Sequence, residues 1–413
     1  MAAMSRLGTL RTWADLGKLA GAGAGTRAEV DRVQGPTNSQ ANLRLFGGAE
    51  GSEELTLYRD HHAWCPYCHK VWLWLEEKRV PYRVRKVTMF CYGEKEAWYR
   101  KICPSGMLPA VQFRSGEVVT DSDRILRELE ARYGPLGVSL TAEVAAPLRQ
   151  LERQLFSAWC GWLCYPGAAG EDARARHLFT RTLGTVDQVL RASPGPYFLD
   201  TFSVVDCLFA PFLERMVGSL YYYKGFVVRD PSSFPGVAAW FQGMEGRSTY
   251  RGTQGDAHTH AHDLPPQLGG CYASGTREQE EAAARVDRGL ALDLPDCGYA
   301  EPEQSRAEAA GRVIWHRDSI IAANPGQKET VDGALRAALT LLLTGEGPDP
   351  PPGSAAALRY VRARVSVPRD MGPWAARRLR QALELTAARD GAEEGAAIPT
   401  QHRRDQDPRN FGK

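Results

Sequence analysis

The sequence predicts an α/β domain followed by a longer all-helical region, and three observations support this order. Short runs of β-forming residues alternate with amphipathic helical segments between residues 54 and 135. Strand signals then end, and apolar residues recur at helical spacing through residues 140–252. Residues 253–391 are rich in alanine, arginine and glutamate with recurrent leucine, which indicates a further set of helices.

The first region, residues 54–135, has the element order β-α-β-α-β-β-α. The predicted elements are, in chain order, a strand at 55–58, a helix after residue 65, a strand at 82–89, a helix at 94–103, strands at 110–113 and 117–120, and a helix from residue 122. This is the element order of a thioredoxin-like fold. Tyr58, the tyrosine of the first strand, is interpreted as a strand residue.

The second region, residues 140–252, is predicted to be all-helical. A stripe of leucine and tryptophan from Leu148 to Trp162 predicts a long helix. Ser203 and Asp206 have the spacing of a capping box and mark the start of a later helix. In the extension, 253–391, the predicted helices span residues 274–292, 303–324, 328–344 and 355–389. Residues 392–413 are polar, and we expect them to be disordered.

Residues 1–50 are predicted to be disordered. They contain the small-residue run from Ala20 to Gly25, which cannot pack a core, and few acidic residues beside arginines 6, 11, 27, 32 and 44. An arginine-rich, acid-poor arm resembles an organelle transit peptide, which predicts a chloroplast location and otherwise a cytoplasmic one. Asp15, Glu29 and Asp31 weaken this interpretation, and an ordinary disordered N-terminus is the alternative.

The composition limits the class of protein. The 413 residues carry a formal net charge of only +2, so nothing suggests nucleic acid as a partner. Nine cysteines spread over a chain of this length favour a reducing compartment, with buried or catalytic rather than bridged thiols. No apolar run approaches the ~20 residues of a membrane-spanning helix, so the sequence predicts a soluble protein.

The candidate catalytic residues are Cys65 and Cys68 of the motif Cys65-Pro66-Tyr67-Cys68, between a strand and a helix. Unpaired amides and the helix dipole at a helix N-terminus stabilise a thiolate, the reactive form of cysteine. A second cysteine three residues later is close enough to attack a mixed disulfide. Half a zinc site has the same spacing, but no second Cys-x-x-Cys occurs to complete one.

Histidine residues also lie around this motif. His69 completes a Cys-x-x-Cys-His haem-attachment pattern, which the strand–turn–helix setting disfavours. His61, His62 and His69 are interpreted as solvated loop residues rather than as ligands, and no metal is expected.

Segment 55–132 resembles the N-terminal domain of cysteine-type glutathione transferases, the omega class and its plant relatives. Gly106-Met107-Leu108-Pro109 resembles the family's loop that ends in a cis-proline, where the backbone of Leu108 would pair with the cysteine of glutathione. Asp121-Ser122 stands where the family binds the γ-glutamyl end, and Lys95 matches a lysine that contacts glutathione. The resemblance therefore implies glutathione as cosubstrate.

The helical half adds to the resemblance. Ser203-Val204-Val205-Asp206 is similar to the capping box of the same superfamily. The family's second-substrate pocket implies a lining role for Trp159, Trp162 and Tyr165, although aromatic core packing explains them equally well. The whole chain also resembles plastid-type plant and algal members with a long C-terminal extension, on the stretches 253–255, 260–267 and 365–371.

The extension contains the alternation His258-x-His260-x-His262. If this stretch were an extended strand, all three histidines would share one face and could bind a metal. We expect a structured connecting loop instead.

The resemblance implies a glutathione-dependent thiol transferase or oxidoreductase in which Cys65 forms a mixed disulfide with glutathione. Its partners would be glutathione and a small disulfide or electrophilic substrate, and a homodimer is allowed. Three alternatives stay open: a non-catalytic transferase-like binding or scaffold protein, a glutathione-conjugating transferase, and a carrier that shares an iron–sulfur cluster between subunits.

Overall fold

The computed structural model describes residues 10–21, 32–167 and 169–390 of the chain. The strands are β1 (Leu43–Arg44), β2 (Leu55–Asp60), β3 (Tyr82–Val87), β4 (Ala110–Phe113) and β5 (Val118–Thr120). The helices are α1 (Trp13–Leu19), α2 (Pro66–Lys78), α3 (Ala97–Ile102), α4 (Ser122–Tyr133), α5 (Ala145–Leu163), α6 (Ala169–Ala192), α7 (Val204–Lys224), α8 (Pro235–Glu245), α9 (Ser248–Thr253), α10 (Ala257–Leu268), α11 (Arg277–Arg288), α12 (Ser305–Ala323), α13 (Lys328–Thr344), α14 (Ala355–Arg364) and α15 (Pro373–Ala387).

The strands form one mixed sheet in the order β1-β3-β2-β4-β5. β2 and β3 are parallel, with Leu57 opposite Val84, and the other pairs are antiparallel. The central strand β2 is covered on both faces: Leu55 and Leu57 lie in the main core, while Tyr58 packs in a smaller cluster on the opposite face. The predicted thioredoxin-like element order is confirmed. The predicted all-helical domain and further helices follow it along the chain.

The capping box at the start of α7 is also confirmed. The Asp206 carboxylate accepts a hydrogen bond from the Ser203 backbone N–H at 2.8 Å, and the Ser203 hydroxyl accepts one from the Val205 N–H at 3.3 Å. Both groups are fully buried, so the cap satisfies amides that water cannot reach. It fixes the direction in which α7 runs through the core.

Within the described residues, no helix is both long and apolar enough to cross a membrane.

The fourth predicted helix of the extension, 355–389, is in fact two helices. α14 ends at Arg364 and α15 begins at Pro373, because Pro368 restricts the residue before it to extended backbone and cannot continue a helix. The Asp370 carboxylate accepts a hydrogen bond from the Ser366 N–H at 2.8 Å and closes the connecting turn. The first predicted helix, 274–292, is shorter at both ends, since Thr276 caps α11 and Gly289 ends it.

The division of the hydrophobic cores differs from the predicted boundary at residue 253. α10 contributes Ala257, Ala261 and Leu264 to the core of the α/β and all-helical domains, and Val286 and Leu294 join the same core. A second core is formed by the helices from Ser305 onward together with α1 of the N-terminal segment. The first part of the extension is therefore built into the α/β and helical domains rather than separate from them.

The predicted disorder of residues 1–50 is wrong for the part that the structure describes. Leu16 of α1 is fully buried in the second core, and the Trp13 indole N–H donates to Asp332 at 2.7 Å. Residues 37–44 run beside the sheet, where the guanidinium of Arg44 pairs with the buried Glu76 carboxylate at 2.9 Å. A long-range buried ion pair of this kind cannot be inferred from local composition. The predicted disordered tail, 392–413, lies outside the described residues.

The second core gives a direct stability test. Leu383 of α15 is fully buried, whereas Leu385 on the same helix is 44% exposed. We expect Leu383→Ala to lower the free energy of unfolding by ~2–5 kcal/mol through lost burial and an unfilled cavity. Leu385→Ala should change it by less than ~0.5 kcal/mol. Urea unfolding measures both, and equal effects of the two substitutions would show that this core does not contribute to folding.

Candidate active site

Cys65 lies at the junction between the sheet and the first helix of the domain. It is the residue immediately before α2, with extended backbone, and Pro66 occupies the first helical turn. No side chain caps this helix end. Proline suits the first turn because its missing N–H would have no helical partner there. The Cys65 sulfur is thus adjacent to the positive end of the α2 dipole, and it borders an open cavity.

Cys68 lies one turn further along α2 and is buried, 2% exposed. Burial raises the pKa of the Cys68 thiol well above its usual range, and hydrogen bonding to Cys65 and the nearby Asp60 charge act in the same direction. Cys68 therefore keeps its proton at neutral pH and donates it toward Cys65. The two thiols of the motif are chemically distinct in the fold.

Asp60, at the end of β2, is a site residue that the sequence interpretation did not identify. It is fully buried, and its Oδ2 accepts a hydrogen bond from the Trp64 N–H at 2.7 Å. Within the described part of the chain, its Oδ1 has no hydrogen-bond partner. A ligand atom of Asp60 lies within 4.8 Å of both cysteine sulfurs. Asp60 comes close to the two cysteines because β2 ends beside the start of α2. No local sequence motif indicates this proximity.

The cavity beside Cys65 has a volume of about 630 Å³. Lys95 and Leu108 line it together with Cys65, so the structure brings three of the predicted site residues to one wall. The Leu108–Pro109 peptide bond is cis, as the motif indicated. The Lys95 ammonium donates to the Thr88 carbonyl at 2.9 Å, and partial burial lowers the pKa of Lys95. Pro109 and Cys68 are not among the residues that line the cavity.

Asp121 and Ser122 stand at the N-terminus of α4 and are not among the residues that line the cavity. The Asp121 carboxylate caps the helix by accepting from the Asp123 and Arg124 N–H groups at 3.1 and 3.0 Å. Its backbone φ of 72° is rare for a residue other than glycine. Asp121 therefore combines a sparsely populated backbone conformation with the cap of α4, directly after β5.

Of the three aromatic residues predicted to line a second-substrate pocket, only Trp159 does so. Trp162 packs in the core against Phe179 and Phe226, and its indole N–H donates to Asp172 at 3.0 Å. Tyr165 is 67% exposed and lies outside the cavity. The structure therefore does not place Trp162 or Tyr165 on this cavity. A helical stripe indicates a buried face and does not show where that face opens into a cavity.

Other cavity walls come from segments far apart in sequence. Leu264, Gln267 and Leu268 of α10 contribute one wall, and Phe212 and Arg215 of α7 contribute another. Phe90, Met107 and Phe156 complete the apolar lining. The contribution of α10 is notable because this helix belongs to the extension. Nothing in the local sequence signals it, since it depends on how α10 packs against α7.

The histidines near the motif are more buried than the sequence suggested. His62 is 2% exposed and stacks on Trp64 with ring centroids 4.3 Å apart, and His69 is 1% exposed. Their interpretation as solvated loop residues is wrong, because α7, α9 and α10 cover this end of α2. His69 Nε2 and the Thr253 hydroxyl are hydrogen-bonded at 2.8 Å. Only His61 is partly exposed, 3.5 Å from Glu96.

A buried charge network surrounds His69. Glu214 of α7 lies 3.5 Å from His69 Nδ1 and 3.3 Å from His260 Nε2, and Asp263 lies 3.7 Å from His260 Nδ1. Arg215 donates to the Trp64 carbonyl at 2.7 Å. Burial works to raise the pKa of Glu214, but the charges on His69, His260 and Arg215 hold it well below its usual range.

A thioredoxin-like domain that presents a cysteine at a helix N-terminus, followed by an all-helical domain, has the architecture of glutathione transferases. Residues 64–132 match the family model "Glutathione S-transferase, N-terminal domain", and residues 170–243 match "Glutathione S-transferase, C-terminal domain". Two consecutive segments of the chain therefore match the N-terminal and C-terminal domain models of this family, in that order.

Similar proteins bear transferase names. The chain is 29% identical over 193 residues to "Glutathione S-transferase DHAR3, chloroplastic" of Arabidopsis thaliana, which covers 46% of this chain and 69% of the relative. It is 27% identical over 187 residues to "Probable glutathione S-transferase DHAR1, cytosolic" of Oryza sativa subsp. japonica, which covers 45% and 82%. The solved structure of glutathione transferase Omega 3C from Trametes versicolor has 24% identity and a TM-score of 0.42, covering 50% of this chain and 92% of that one.

The buried network predicts how stability depends on pH. Burial works to lower the pKa of His260, but its hydrogen bonds to Asp263 and Glu214 raise it to about 9. Unfolded histidine titrates near ~6.5, so protonated His260 stabilises the fold below that pH. This contribution is lost as the pH rises through about 9.

We therefore expect the free energy of unfolding to fall between about pH 6.5 and pH 9 by on the order of 3 kcal/mol. Urea unfolding across this range measures the slope. His260→Gln should lose this part of the slope, while His177→Gln, on the exposed surface of α6, should retain it. A slope that is unchanged in His260→Gln would contradict the assignment.

Proposed function

We propose that this protein is a glutathione-dependent thiol transferase or oxidoreductase of the cysteine type, with Cys65 as the nucleophile. The observation that carries the proposal is the position of Cys65 at the N-terminus of α2, on the wall of a cavity that Lys95 and Leu108 also line. The similarity to relatives named as glutathione S-transferases supports the choice of cosubstrate.

Glutathione would lie along the wall that Cys65 and Leu108 form. In the family that the motif resembles, the backbone of the residue before this proline pairs with the cysteine of glutathione, and Leu108 lines the cavity here. The ammonium of Lys95 suits a carboxylate of glutathione. The free ammonium of the γ-glutamyl group suits the exposed carboxylate of Asp121, and Ser122 with the α4 amides suits its carboxylate.

The reaction takes place in two thiol–disulfide exchanges. The Cys65 thiolate attacks a substrate disulfide, forms a mixed disulfide with one half and releases the other half as a thiolate. A glutathione thiolate then attacks the mixed disulfide. When the first half is glutathionyl, the products are oxidised glutathione and the free Cys65 thiolate. Overall, one glutathione thiol exchanges with the glutathione mixed disulfide of the substrate: the S–S bond of oxidised glutathione replaces the S–S bond of the substrate. The released substrate thiolate takes up the proton that glutathione lost when it formed its thiolate.

Cys68 competes with glutathione in the second exchange. Its sulfur is close enough to attack the mixed disulfide, but burial raises the pKa of its thiol, so its thiolate is scarce at neutral pH. We propose that Cys68 resolves the adduct slowly and that glutathione regenerates Cys65 in each turnover. The proton on Cys68 also supplies a hydrogen bond to the Cys65 sulfur.

The cysteine roles predict different products with oxidised glutathione. Cys65→Ser should abolish disulfide reduction and take up no glutathionyl group at this site. Cys68→Ser should stay active. In oxidised glutathione without free thiol, it should keep the mixed disulfide on Cys65, which the wild type would slowly resolve through Cys68. Intact-mass measurement with peptide mapping detects both outcomes, and Cys297→Ser, outside the cavity, is the matched control. Disulfide reduction by Cys65→Ser at the wild-type rate would rule out the mechanism.

Asp121 can be tested without disturbing its helix cap. Asn keeps the side-chain oxygen that caps α4 but removes the charge. We expect Asp121→Asn to weaken glutathione binding by ~1–3 kcal/mol, the range for a lost charged hydrogen-bond partner, with little change in stability. Asp121→Ala should also lower stability by ~0.5–2 kcal/mol because the cap is lost. Calorimetric titration with glutathione that gave unchanged affinity for both variants would remove Asp121 from the site.

Glutathione conjugation is a second candidate function, because aromatic and aliphatic side chains line most of the cavity and would accept an apolar electrophile. Tyr58 does not supply an activating hydroxyl for it. The Tyr58 phenol lies against the opposite face of the sheet, where it donates to Gln112 at 2.8 Å. Side-by-side assays with a small disulfide, dehydroascorbate and a model electrophile separate the two functions.

We also propose plastid targeting by the N-terminal arm, on the basis of its arginine-rich composition and of relatives that include chloroplastic and cytosolic members. Trp13 and Leu16 are packed into the second core and residues 37–44 are packed into the fold, so a removable segment must end before Trp13. Sequencing the N-terminus of the protein isolated from its cells tests this limit.

A further inference from the structure

The alternating histidines of the extension lie on a helix, not on a strand or in a loop. α10 spans Ala257–Leu268, capped by Asp256, whose carboxylate accepts from the Thr259 N–H at 2.9 Å. The expectation of a connecting loop is therefore wrong. On a helix, residues four apart share a face, so His258 and His262 lie together and His260 points elsewhere. His260 belongs to the Glu214 network described above.

The face that carries His258 and His262 meets α11. The His262 Nε2 atom lies 2.9 Å from the Asp287 carboxylate, and the rings of His258 and His262 have centroids 4.8 Å apart. One ligand atom from each of the three residues lies within 4.8 Å of the other two. Both histidines are buried, at 1% and 0% exposure, and Asp287 is 19% exposed at its side chain.

We propose that His258, His262 and Asp287 form a binding site for a divalent metal ion of the zinc class. Two imidazole nitrogens and a carboxylate oxygen are donors that zinc prefers, and three protein ligands leave one position of a tetrahedral ion for water. The ion would replace the proton between His262 Nε2 and Asp287, so that proton is released or moves to Nδ1 of the same ring. The partly exposed Asp287 is the side from which an ion enters.

An outer partner orients the carboxylate. The Tyr222 phenol of α7 donates to Asp287 Oδ2 at 2.8 Å, while Oδ1 faces His262. Hydrogen bonds of this kind fix the ligand oxygen and are an established feature of protein metal sites. Tyr222 also contacts the His262 ring edge-on, with centroids 5.4 Å apart.

The bound ion would join three helices. α10 supplies His258 and His262, α11 supplies Asp287, and α7 supplies Tyr222. α10 also forms a wall of the cavity beside Cys65 through Leu264 and Leu268. The metal would therefore hold that wall in place. The site does not depend on the proposed glutathione chemistry and adds a metal to a chain for which the sequence predicted none.

Cobalt spectroscopy and zinc titration on the full-length protein test the proposal. After chelator treatment, the protein should bind one equivalent of zinc from zinc chloride in competition with a chromophoric chelator. Cobalt chloride should give visible d–d bands of a tetrahedral site without the near-ultraviolet band of a cobalt–thiolate bond. That band would instead report the other donor set among the described residues, Asp60 with Cys65 and Cys68.

Matched variants locate the ion. His262→Gln preserves a donor toward Asp287 but removes a metal ligand, and it should weaken zinc binding by more than ~10-fold. Tyr222→Phe keeps the ring and should weaken it by about 10-fold. The Cys65→Ser/Cys68→Ser double variant should bind zinc as the wild type does. Thermal unfolding of the wild type should shift upward with zinc, and that shift should vanish in His262→Gln.

Three results would overturn the proposal. The first is failure of the chelator-treated wild type to bind zinc or cobalt. The second is a thiolate-to-cobalt band as the sole signature of binding. The third is zinc affinity that is unchanged in His262→Gln and lost in the double cysteine variant.

Discussion

A buried carboxylate, that of Glu214 on α7, holds the candidate active site against the helical part of the protein. Glu214 is 5% exposed and contacts His69 of α2 and His260 of α10. A buried charge without partners costs several kcal/mol, so these helices must stay where their side chains neutralise it. The neighbouring Arg215 donates to the Trp64 carbonyl, one residue before Cys65. α7 thus controls the position of the turn that presents the nucleophile.

The same constraint explains why the extension is part of the site. α10 approaches α7 closely: a Cβ added at Gly218 would lie 3.0 Å from the His260 Cβ, so only glycine fits there without a shift. Further along, the Thr259 hydroxyl accepts a hydrogen bond from the Val367 N–H at 2.9 Å, and Arg380 pairs with Asp256. The second core is therefore linked through α10 to the wall of the cavity, and not attached as an independent appendage.

Local sequence patterns predicted the structural features that depend on residues close together in the chain. The capping box of Ser203 and Asp206, the cysteine at a helix start and the cis bond before Pro109 all follow from short motifs. Features that depend on long-range packing escaped prediction. Trp159 and Trp162 lie on one helical stripe, but only Trp159 lines the cavity. This difference depends on how α7 and α10 pack beside the stripe.

The N-terminal segment and α10 show the same limit. Arg44 looked like part of a disordered basic arm, but its partner Glu76 lies thirty-two residues away. The histidine repeat was expected to form a connecting loop but lies on α10, which also contains Pro265 and Pro266. These prolines lie in the final turns of α10, after the Asp256 cap and the first helical hydrogen bonds. They therefore do not prevent the helix from starting. Composition describes a segment alone, whereas burial depends on what the rest of the fold places beside it.

The electrostatics around the two cysteines connect the fold to the proposed chemistry. Asp60 is fixed by its bond to the Trp64 N–H, and Arg215 holds the carbonyl of the same residue. Burial raises the pKa of the Cys68 thiol, and a carboxylate this close further disfavours a negative charge there. An internal disulfide would require Cys68 to lose its proton against that field. On the proposed mechanism, the fold therefore favours glutathione over Cys68 for regenerating Cys65, with α7 as the element that enforces the choice.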